Sequence, residues 1–340
     1  MFFQKVGRYV RNVLFISPKL PEHADIEICT KCNLSCKMCK RETIDFGNQI
    51  MPYERFCAIV DRLPKGVKVL SFGGYGEMLI HPQFFEMVHY AKAHGFWIQT
   101  TSNGTLLVNE KRIRKLLTSG LDEFRISIDH VRSPVDEPEV GHVFSEKLLS
   151  ILKNVSKLKQ ATHSSLQLGI NTVVHKGNFD EIEEIVQFAE ELKLNFIELI
   201  RLDTCANKAN RTLDLEDERK LYKRLLKRKT PLKINTPLNR FSGVRRLYNL
   251  RQQYCPLRLK GIHIRLNGAV TPCAFGFAAH DLGNIFEQDL QTIWSSEPFR
   301  KIRANDQNPI CKSCSLFSPL KQEQTQKKHS SPLPLISGSS

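Results

Sequence analysis

The stretch Cys32-Asn33-Leu34-Ser35-Cys36-Lys37-Met38-Cys39 follows the short apolar run Ile26-Glu27-Ile28 and places three cysteines on one loop. Thiolates spaced in this way can hold three irons of a [4Fe–4S] cube and leave the fourth iron without a protein ligand. An iron with an open position binds and reduces a second molecule, which is a catalytic arrangement. The alternative is a zinc ion, although structural zinc takes four ligands, usually as two separated pairs.

The composition indicates a globular protein without a membrane span. Of the 340 residues, 41% are hydrophobic and 25% are charged, which is ordinary for one large domain and a smaller one. No apolar run approaches the ~18 residues of a membrane span, and Val13-Leu14-Phe15-Ile16 is too short for a signal peptide. We therefore predict a cytoplasmic protein, in which ten cysteines are better evidence for metal or cluster ligands than for disulfides.

The charge balance is strongly basic, at +15 from 50 Lys and Arg against 35 Asp and Glu. This balance favours anionic partners such as phosphates, carboxylates, nucleic acid or a membrane surface. No recognisable nucleic-acid-binding module accompanies it, so we expect no nucleic-acid partner. The basic leader 1–23 has apolar residues at helical spacing, and two interpretations stay open: a surface-binding helix or a helix packed on the domain behind it.

Strand-like and helix-like stretches alternate through the middle of the chain. Strands are predicted at Ala24–Cys29, Val67–Gly73, Phe96–Ser102, Glu123–Asp129, Leu166–Val174 and Asn195–Leu199. Helices are predicted at Pro82–His94, Asn109–Ser119, Val143–Leu158 and Phe179–Leu192. Such alternation predicts parallel β/α units with right-handed crossovers. Six units are too few for a closed eight-fold barrel, so the predicted fold is α/β, a partial (β/α)6 barrel with its chemistry at the carboxyl ends of the strands.

Polar and glycine residues follow three of these strands. The stretches are Phe72-Gly73-Gly74-Tyr75-Gly76-Glu77, Thr100-Thr101-Ser102-Asn103-Gly104 and Ser127-Ile128-Asp129. Glycines let the backbone approach a ligand closely, and Glu77 offers a carboxylate to an ammonium group. Hydroxyl, amide and carboxylate groups around one barrel mouth suit a ribose and an amino-acid moiety, although each residue alone is also compatible with ordinary loop capping.

Taken in order, Cys32-x-x-x-Cys36-x-x-Cys39, Gly74-x-Gly76-Glu77, Ser102-Asn103-Gly104 and Ser127-Ile128-Asp129 resemble the radical S-adenosylmethionine (SAM) superfamily over roughly residues 24–199. The resemblance implies that the three cysteines hold a [4Fe–4S] cluster whose open iron chelates SAM. It implies one-electron reductive cleavage of SAM to methionine and a 5′-deoxyadenosyl radical, which abstracts hydrogen from a substrate. An external electron donor such as flavodoxin or ferredoxin would supply the electron.

The resemblance also assigns the SAM contacts residue by residue. Met38 is expected near the adenine, and Gly74, Gly76 and Glu77 at the SAM amino group. Asn103, Ser127 and Asp129 are expected at the SAM carboxylate or ribose.

Some positions depart from the family pattern or compete with it. Met78 stands where the family often has proline, and His130 where it often has glycine. His130 lies near the predicted substrate mouth and is a candidate acid or base, or a loop histidine that only forms a hydrogen bond. Cys29 belongs to a strand end and is not expected to be a ligand. Cys57 and Cys205 are interpreted as unliganded thiols.

A second cysteine set follows near the carboxyl terminus, at Cys255, Cys273, Cys311 and Cys314. Four thiolates satisfy zinc or a [4Fe–4S] cluster. The spacing resembles the SPASM and shorter twitch extensions of radical SAM enzymes, whose cysteines bind auxiliary clusters. No cysteine follows Cys314, so the prediction is one auxiliary [4Fe–4S] cluster, as in the twitch type.

The chain therefore divides into a leader (1–23), a radical SAM core (24–200), a connecting segment (201–253), an auxiliary-cluster domain (254–317) and a disordered tail (318–340). The resemblance implies a radical SAM oxidoreductase that dehydrogenates a small substrate with the help of the auxiliary cluster, and the basic charge favours an anionic substrate. One alternative is a maturase that modifies a ribosomally made peptide. A more distant alternative is a non-catalytic iron–sulfur or zinc protein, which would give Glu77, Asn103 and Asp129 no role.

Overall fold

A computed structural model describes residues 18–42, 44–132, 146–202, 212–237, 255–274 and 281–304, together with Cys311 and Cys314. The predicted tail 318–340, Cys205 and the predicted leader up to residue 17 lie outside the described residues.

The described strands form one nine-stranded sheet with the order β7-β6-β5-β4-β3-β2-β1-β8-β9. Every neighbouring pair from β7 to β8 is parallel, and β8 and β9 are antiparallel. The strands are β1 (His23–Glu27), β2 (Val69–Gly73), β3 (Trp97–Ser102), β4 (Glu123–Ser127), β5 (Gln167–Val174), β6 (Phe196–Arg201), β7 (Lys233–Asn235), β8 (Gly261–Ile264) and β9 (Val270–Thr271).

Helices connect the parallel strands. They are α1 (Tyr53–Asp61), α2 (Phe84–Ala93), α3 (Glu110–Leu117), α4 (Glu146–Ala161), α5 (Ile182–Glu191), α6 (Leu215–Leu225), α7 (Pro256–Lys260), α8 (Leu290–Ser295) and α9 (Glu297–Ala304). Short 3-10 turns lie at Lys40–Glu42, Met78–Ile80 and Phe179–Glu181. The β/α alternation confirms the predicted mixed α/β fold with a parallel sheet, and this sheet forms a partial barrel because its end strands β7 and β9 do not pair with each other.

The two faces of the sheet differ in chemistry because side chains alternate along each strand. On β1, Ala24 and Ile26 are fully buried in the apolar core. On the next strand Phe72 packs edge-on against Phe56 of α1 and Phe84 of α2, with ring centroids 5.3 and 6.0 Å apart. The outer face is therefore the hydrophobic core beneath the helices, which leaves the alternate positions for the barrel interior.

The sheet extends beyond the six strands that the sequence predicts. Residues 201–253 were predicted as a connection between domains with one charged helix at Leu215–Lys229. The helix α6 lies at that position, but β7 also lies in this segment and pairs in parallel with β6. At the other edge, β8 of the carboxyl-terminal part pairs in parallel with β1. Periodicity missed β7 because a three-residue strand carries too short a pattern to be recognised.

In the parts of the chain that the structure describes, no helix is both long and apolar enough to cross a membrane.

Candidate active site

The cysteine loop begins directly after β1, and backbone contacts hold its base. Cys29 forms an isolated antiparallel bridge with Ile50 on the far side of the loop. Inside the loop, the Cys39 N–H donates to the Cys36 carbonyl at 2.9 Å and closes a turn. The loop therefore presents its cysteines at the carboxyl end of the first barrel strand, as the sequence predicts.

The three thiols of this loop share one partly buried region. Burial raises the pKa of the Cys32 and Cys39 thiols, and the charges of neighbouring thiols, including Cys36, raise it further. The Leu34 N–H points to Cys32 Sγ at 3.5 Å. Soft sulfur donors that repel one another as thiolates suit a cluster of iron cations, whose positive charge offsets that repulsion. The residues present therefore fit a cluster with three protein ligands.

Cys29 is chemically different from these three. It is fully buried, its Sγ–H donates to the Lys31 carbonyl at 3.3 Å, and burial raises its pKa to about 11. A buried thiol in this environment is a poor ligand, which agrees with the expectation that Cys29 does not bind the cluster.

The turn after β2 packs directly on the backbone of the cysteine loop. Gly74 adopts φ +112°, a conformation that favours glycine. A Cβ at Gly76 would lie 2.2 Å from the Cys29 carbonyl oxygen, and the Glu77 N–H donates to the Lys31 carbonyl at 2.8 Å. Only glycine at position 76 permits this approach, so the turn and the cysteine loop form one unit.

The Glu77 carboxylate is held by donors of the protein itself. Its Oε1 accepts from the Leu79 N–H at 3.0 Å and from Ser102 Oγ at 2.7 Å. Its Oε2 accepts from the Asn103 N–H at 2.7 Å, and the residue is 2% exposed. Glu77 thus joins the turn after β2 to the end of β3, and its contact with the SAM amino group stays a prediction.

Replacing Glu77 by Gln is expected to lower the free energy of unfolding by about 2 kcal/mol, because one amide end would face backbone or hydroxyl donors and leave them unsatisfied. Urea unfolding measures the change. The matched control is Glu110→Gln on α3, where the carboxylate is 61% exposed and pairs with Arg114 one turn later; its expected effect is below about 0.5 kcal/mol. Equal effects of the two substitutions would contradict the structural role.

The Asn103 side chain reaches the cysteine loop, and its contact with the SAM carboxylate or ribose stays a prediction. Its Nδ2 donates to Asn33 Oδ1 at 2.9 Å and lies 4.0 Å from Cys32 Sγ. Its Oδ1 accepts from the N–H of Thr105 at 3.0 Å and from Thr105 Oγ1 at 2.7 Å. This network orients the end of β3 against the loop.

The remaining predicted SAM residues lie on three elements. Met38 is half-buried within the cysteine loop, and Ser127 ends β4 opposite Asn171 of β5. Asp129 is 1% exposed, and its Oδ1 accepts from the Val173 N–H at 2.8 Å, which ties the ends of β4 and β5 together. Their contacts with SAM stay predictions.

His130 lies in a buried pair rather than on the barrel cavity. Its Nδ1 is 3.0 Å from Glu181 Oε1, and its ring centroid is 5.9 Å from that of His175. Nε2 has no hydrogen-bond partner among the described residues, and His130 is absent from the described cavity lining. These contacts describe a buried histidine, and an acid or base role for it stays a prediction.

A cavity of about 270 Å³ lies inside the barrel. Gly73, Gly74 and Gly76 line it on the side of the cysteine loop, and Cys273 lines it from the second cysteine set. Between them, charged and polar side chains point inward from alternate positions of β1 to β4 and from β8: His23, Asp25, Ser71, Thr101, Arg125 and His263. The cavity therefore lies between the three-cysteine loop and Cys273 of the second cysteine set.

These interior residues were not predicted as site residues from the sequence. The alternation His23-x-Asp25-x-Glu27 was the available signal, since polar residues at every second position of a strand lie on one face. No such signal exists for His263, which meets Asp25 across 238 positions of sequence.

Three members of the second cysteine set also lie near one another in space. Cys255 caps α7, with its Sγ accepting from the Arg258 N–H at 3.5 Å. Burial raises the Cys255 pKa, and the charges of Cys273 and Cys314 add to the shift, which places these three thiols near one another. Cys311, which shortly precedes Cys314 in the sequence, is half-buried. Across the described ranges, no three His, Cys, Asp or Glu side chains surround a position for a single metal ion.

The half-buried three-cysteine loop lies at the mouth of a partial parallel barrel, and a cysteine-bearing module joins the same sheet. Residues 26–189 match the Radical SAM superfamily. Residues 255–315 match SPASM, an iron-sulfur cluster-binding domain. The chain belongs to the radical SAM superfamily and carries a SPASM domain, with SAM, a SAM-binding [4Fe–4S] cluster and an auxiliary iron–sulfur site as its cofactors.

Named relatives span most of the chain. It is 27% identical to the tungsten-containing aldehyde ferredoxin oxidoreductase cofactor-modifying protein of Pyrococcus furiosus, over 86% of each chain. It is 25% identical to the mycofactocin maturase MftC of Mycolicibacterium smegmatis, over 91% of this chain and 79% of that protein. Streptococcus suis SuiB bound to its precursor peptide SuiA superposes with a TM-score of 0.70 at 19% identity, covering 92% of this chain and 73% of SuiB. At that identity the likeness to SuiB is one of fold.

Proposed function

We propose that this radical SAM enzyme oxidises a C–H bond of a substrate held in the interior cavity, with the SPASM cysteines holding one [4Fe–4S] cluster that takes the second electron. One observation carries the proposal. The cavity is bordered by Gly74 and Gly76 on the side of the cysteine loop and by Cys273 on the side of the SPASM domain. A bound substrate would lie between the two cysteine sites, as a two-electron oxidation requires.

Each part of the chain has a separate task in this proposal. With cluster and SAM bound, the loop carrying Cys32, Cys36 and Cys39 supplies reductive cleavage of SAM to methionine and a 5′-deoxyadenosyl radical. Gly74 and Gly76 border the cavity on the side of the cysteine loop, where SAM would bind. The barrel walls orient the substrate and keep water from the radical. The electron donor, such as flavodoxin or ferredoxin, and the cytoplasmic location stay predictions.

We further propose that the substrate is a peptide of which one side chain enters the cavity. The mycofactocin maturase likeness over 91% of the chain supports this, as does the fold shared with SuiB, which was solved with a precursor peptide. A cavity of about 270 Å³ lies just below the usual range of ligand pockets, about 300 to 1,000 Å³, and suits one side chain or a small ring. A small metabolite is therefore the second candidate.

The test uses anaerobically reconstituted holoenzyme, a chemical reductant and SAM. Peptides encoded beside the gene are added, and the products are analysed by mass spectrometry. Oxidation is expected to remove the mass of two hydrogen atoms from the peptide, with one 5′-deoxyadenosine formed for each product. Release of 5′-deoxyadenosine with an unchanged or redox-neutral product would contradict the oxidation, and absence of any release would contradict radical chemistry itself.

Cys311→Ala separates the two cysteine sets. We expect iron to fall from about eight to about four per chain, with 5′-deoxyadenosine release retained and oxidised product lost. Iron analysis and product assays measure the two effects. Four irons and one zinc in the wild-type protein would contradict an auxiliary cluster, and loss of SAM cleavage in a folded Cys311→Ala variant would contradict separate roles.

A further inference from the structure

We propose that the barrel cavity binds a substrate group that donates hydrogen bonds, an amine or an alcohol, and that Asp25 accepts them. This inference rests on the proposed function, because it assigns the cavity to the substrate. It names the chemistry of the bound group, and it reverses the expectation of an anionic substrate that the basic composition suggested.

One carboxylate oxygen of Asp25 accepts a hydrogen bond from the protein, and the other faces the cavity. Asp25 Oδ2 accepts from His263 Nδ1 at 2.8 Å, and His263 is fully buried while the Asp25 side chain is 19% exposed. Asp25 Oδ1 lies where a side chain at position 73 would be, since a Cβ on Gly73 would come within 2.3 Å of it. Both Asp25 and Gly73 line the cavity. Glycine at position 73 thus leaves room for a carboxylate oxygen directed at the substrate.

The cavity wall formed by β1 to β4 carries a chain of hydrogen bonds across these four strands. Arg125 donates to Gln99 Oε1 at 3.2 Å, Gln99 Nε2 donates to Ser71 Oγ at 2.7 Å, and Ser71 Oγ lies 2.7 Å from His23 Nε2. Burial lowers the His23 pKa, which favours a neutral ring. With Nε2 unprotonated, the Ser71 hydroxyl can accept from Gln99 and donate to His23. The guanidinium of Arg125 therefore starts a chain of hydrogen bonds that runs within the wall.

The charges that border the cavity favour a donor over an anion. Arg125 pairs with Glu123 on its own strand, so its positive charge is already compensated. Glu27, next to Asp25 on the inner face of β1, is 3% exposed, and its Oε1 has no hydrogen-bond partner among the described residues. That oxygen lies 3.0 Å from the position of a Cβ on the cavity residue Gly74. A carboxylate or phosphate would meet the Asp25 carboxylate here, with Glu27 buried behind Gly74, whereas an amine or alcohol would meet an acceptor.

Three probes of one shape test this chemistry: cyclohexylammonium, cyclohexanol and cyclohexanecarboxylate. Each is titrated into anaerobically reconstituted full-length protein, and the dissociation constant is measured by calorimetry. We expect the ammonium or the alcohol to bind at least about tenfold more tightly than the carboxylate, which corresponds to about 1.4 kcal/mol. Whichever of the two binds more tightly identifies the substrate group as an amine or as an alcohol.

Asp25→Asn keeps the shape and an acceptor for His263 but removes the charge. It is expected to weaken the ammonium about tenfold or more and the alcohol about three- to tenfold. Gly73→Ala is the second variant, because its Cβ displaces Asp25 Oδ1 without changing any charge, and it is expected to weaken both probes. Asp217→Asn, on the exposed first turn of α6, is the matched control and is expected to leave all three constants unchanged.

Tightest binding of the carboxylate, no measurable binding of any probe, or probe binding unaffected by both Asp25→Asn and Gly73→Ala would overturn the inference. Probe binding needs no SAM cleavage, so the two proposals fail separately. Release of 5′-deoxyadenosine by a protein that binds none of the probes would refute the donor subsite and leave the proposed function standing.

Discussion

Cys36→Ala is expected to reduce iron from about eight to about four per chain and to lower 5′-deoxyadenosine release at least about 10³-fold, which is a loss of about 4 kcal/mol. The reason is that Cys36 is one of three thiols on the loop after β1, and the cluster of this family needs all three as ligands. Cys29 cannot replace it without leaving the core, because its thiol is fully buried and donates to the Lys31 carbonyl. Iron analysis and chromatography of the SAM products measure the result.

Cys57→Ala is the matched control for this substitution. Cys57 lies on α1, is half-buried, and belongs to neither cysteine set. Its removal is expected to leave iron content and SAM cleavage at wild-type values. Unchanged 5′-deoxyadenosine release in the Cys36→Ala protein would rule out the cluster assignment for this loop.

Gly76→Ala is expected to destabilise the protein by about 3 kcal/mol, at the upper end of overpacking effects, and to impair loading of the first cluster. The added Cβ would lie 2.2 Å from the Cys29 carbonyl oxygen and 2.9 Å from that of Lys31. Both are backbone atoms, so relief requires the cysteine loop to move away from the turn after β2. Urea unfolding and iron analysis measure the two consequences.

Gly95→Ala provides the comparison for this steric effect. Gly95 has φ +82°, and a Cβ there would meet nothing within 4 Å, so the substitution adds backbone strain of about 1 to 2 kcal/mol without a collision. Its iron content is expected to be normal. If Gly76→Ala behaves in the same way as Gly95→Ala, the proposed packing of the turn on the loop is wrong.

The strands and helices of the barrel were predictable because their patterns are long. All six predicted strands differ from the observed ones by at most two residues at each end; the first, predicted at Ala24–Cys29, runs from His23 to Glu27. The segment 201–253 was interpreted as a connection with one charged helix, yet it also contributes β7 to the sheet. A short edge strand is defined by its hydrogen bonds to a neighbour, and that neighbour is absent from a local pattern.

The site residues also divide into those that a local pattern predicts and those that depend on contacts between distant parts of the chain. Cys32, Cys36 and Cys39 were recognisable because their ligand spacing is local. Glu77 was recognised as important, but its role as acceptor for the Ser102 hydroxyl and the Asn103 N–H depends on the approach of β2 to β3. Polar groups alone do not reveal whether a ligand or the protein satisfies them.

By itself, the sequence determined the superfamily, the three-cysteine loop, the carboxyl-terminal cysteine set and the order of the β/α units, since each rests on spacing within a short stretch. Tertiary structure alone decided that the barrel interior is polar, that Asp25 meets His263, and that Cys273 borders the same cavity as Gly74 and Gly76. The physical reason is parallel pairing: it brings alternate residues of distant strands to one face, so the cavity is built from positions that no local pattern connects.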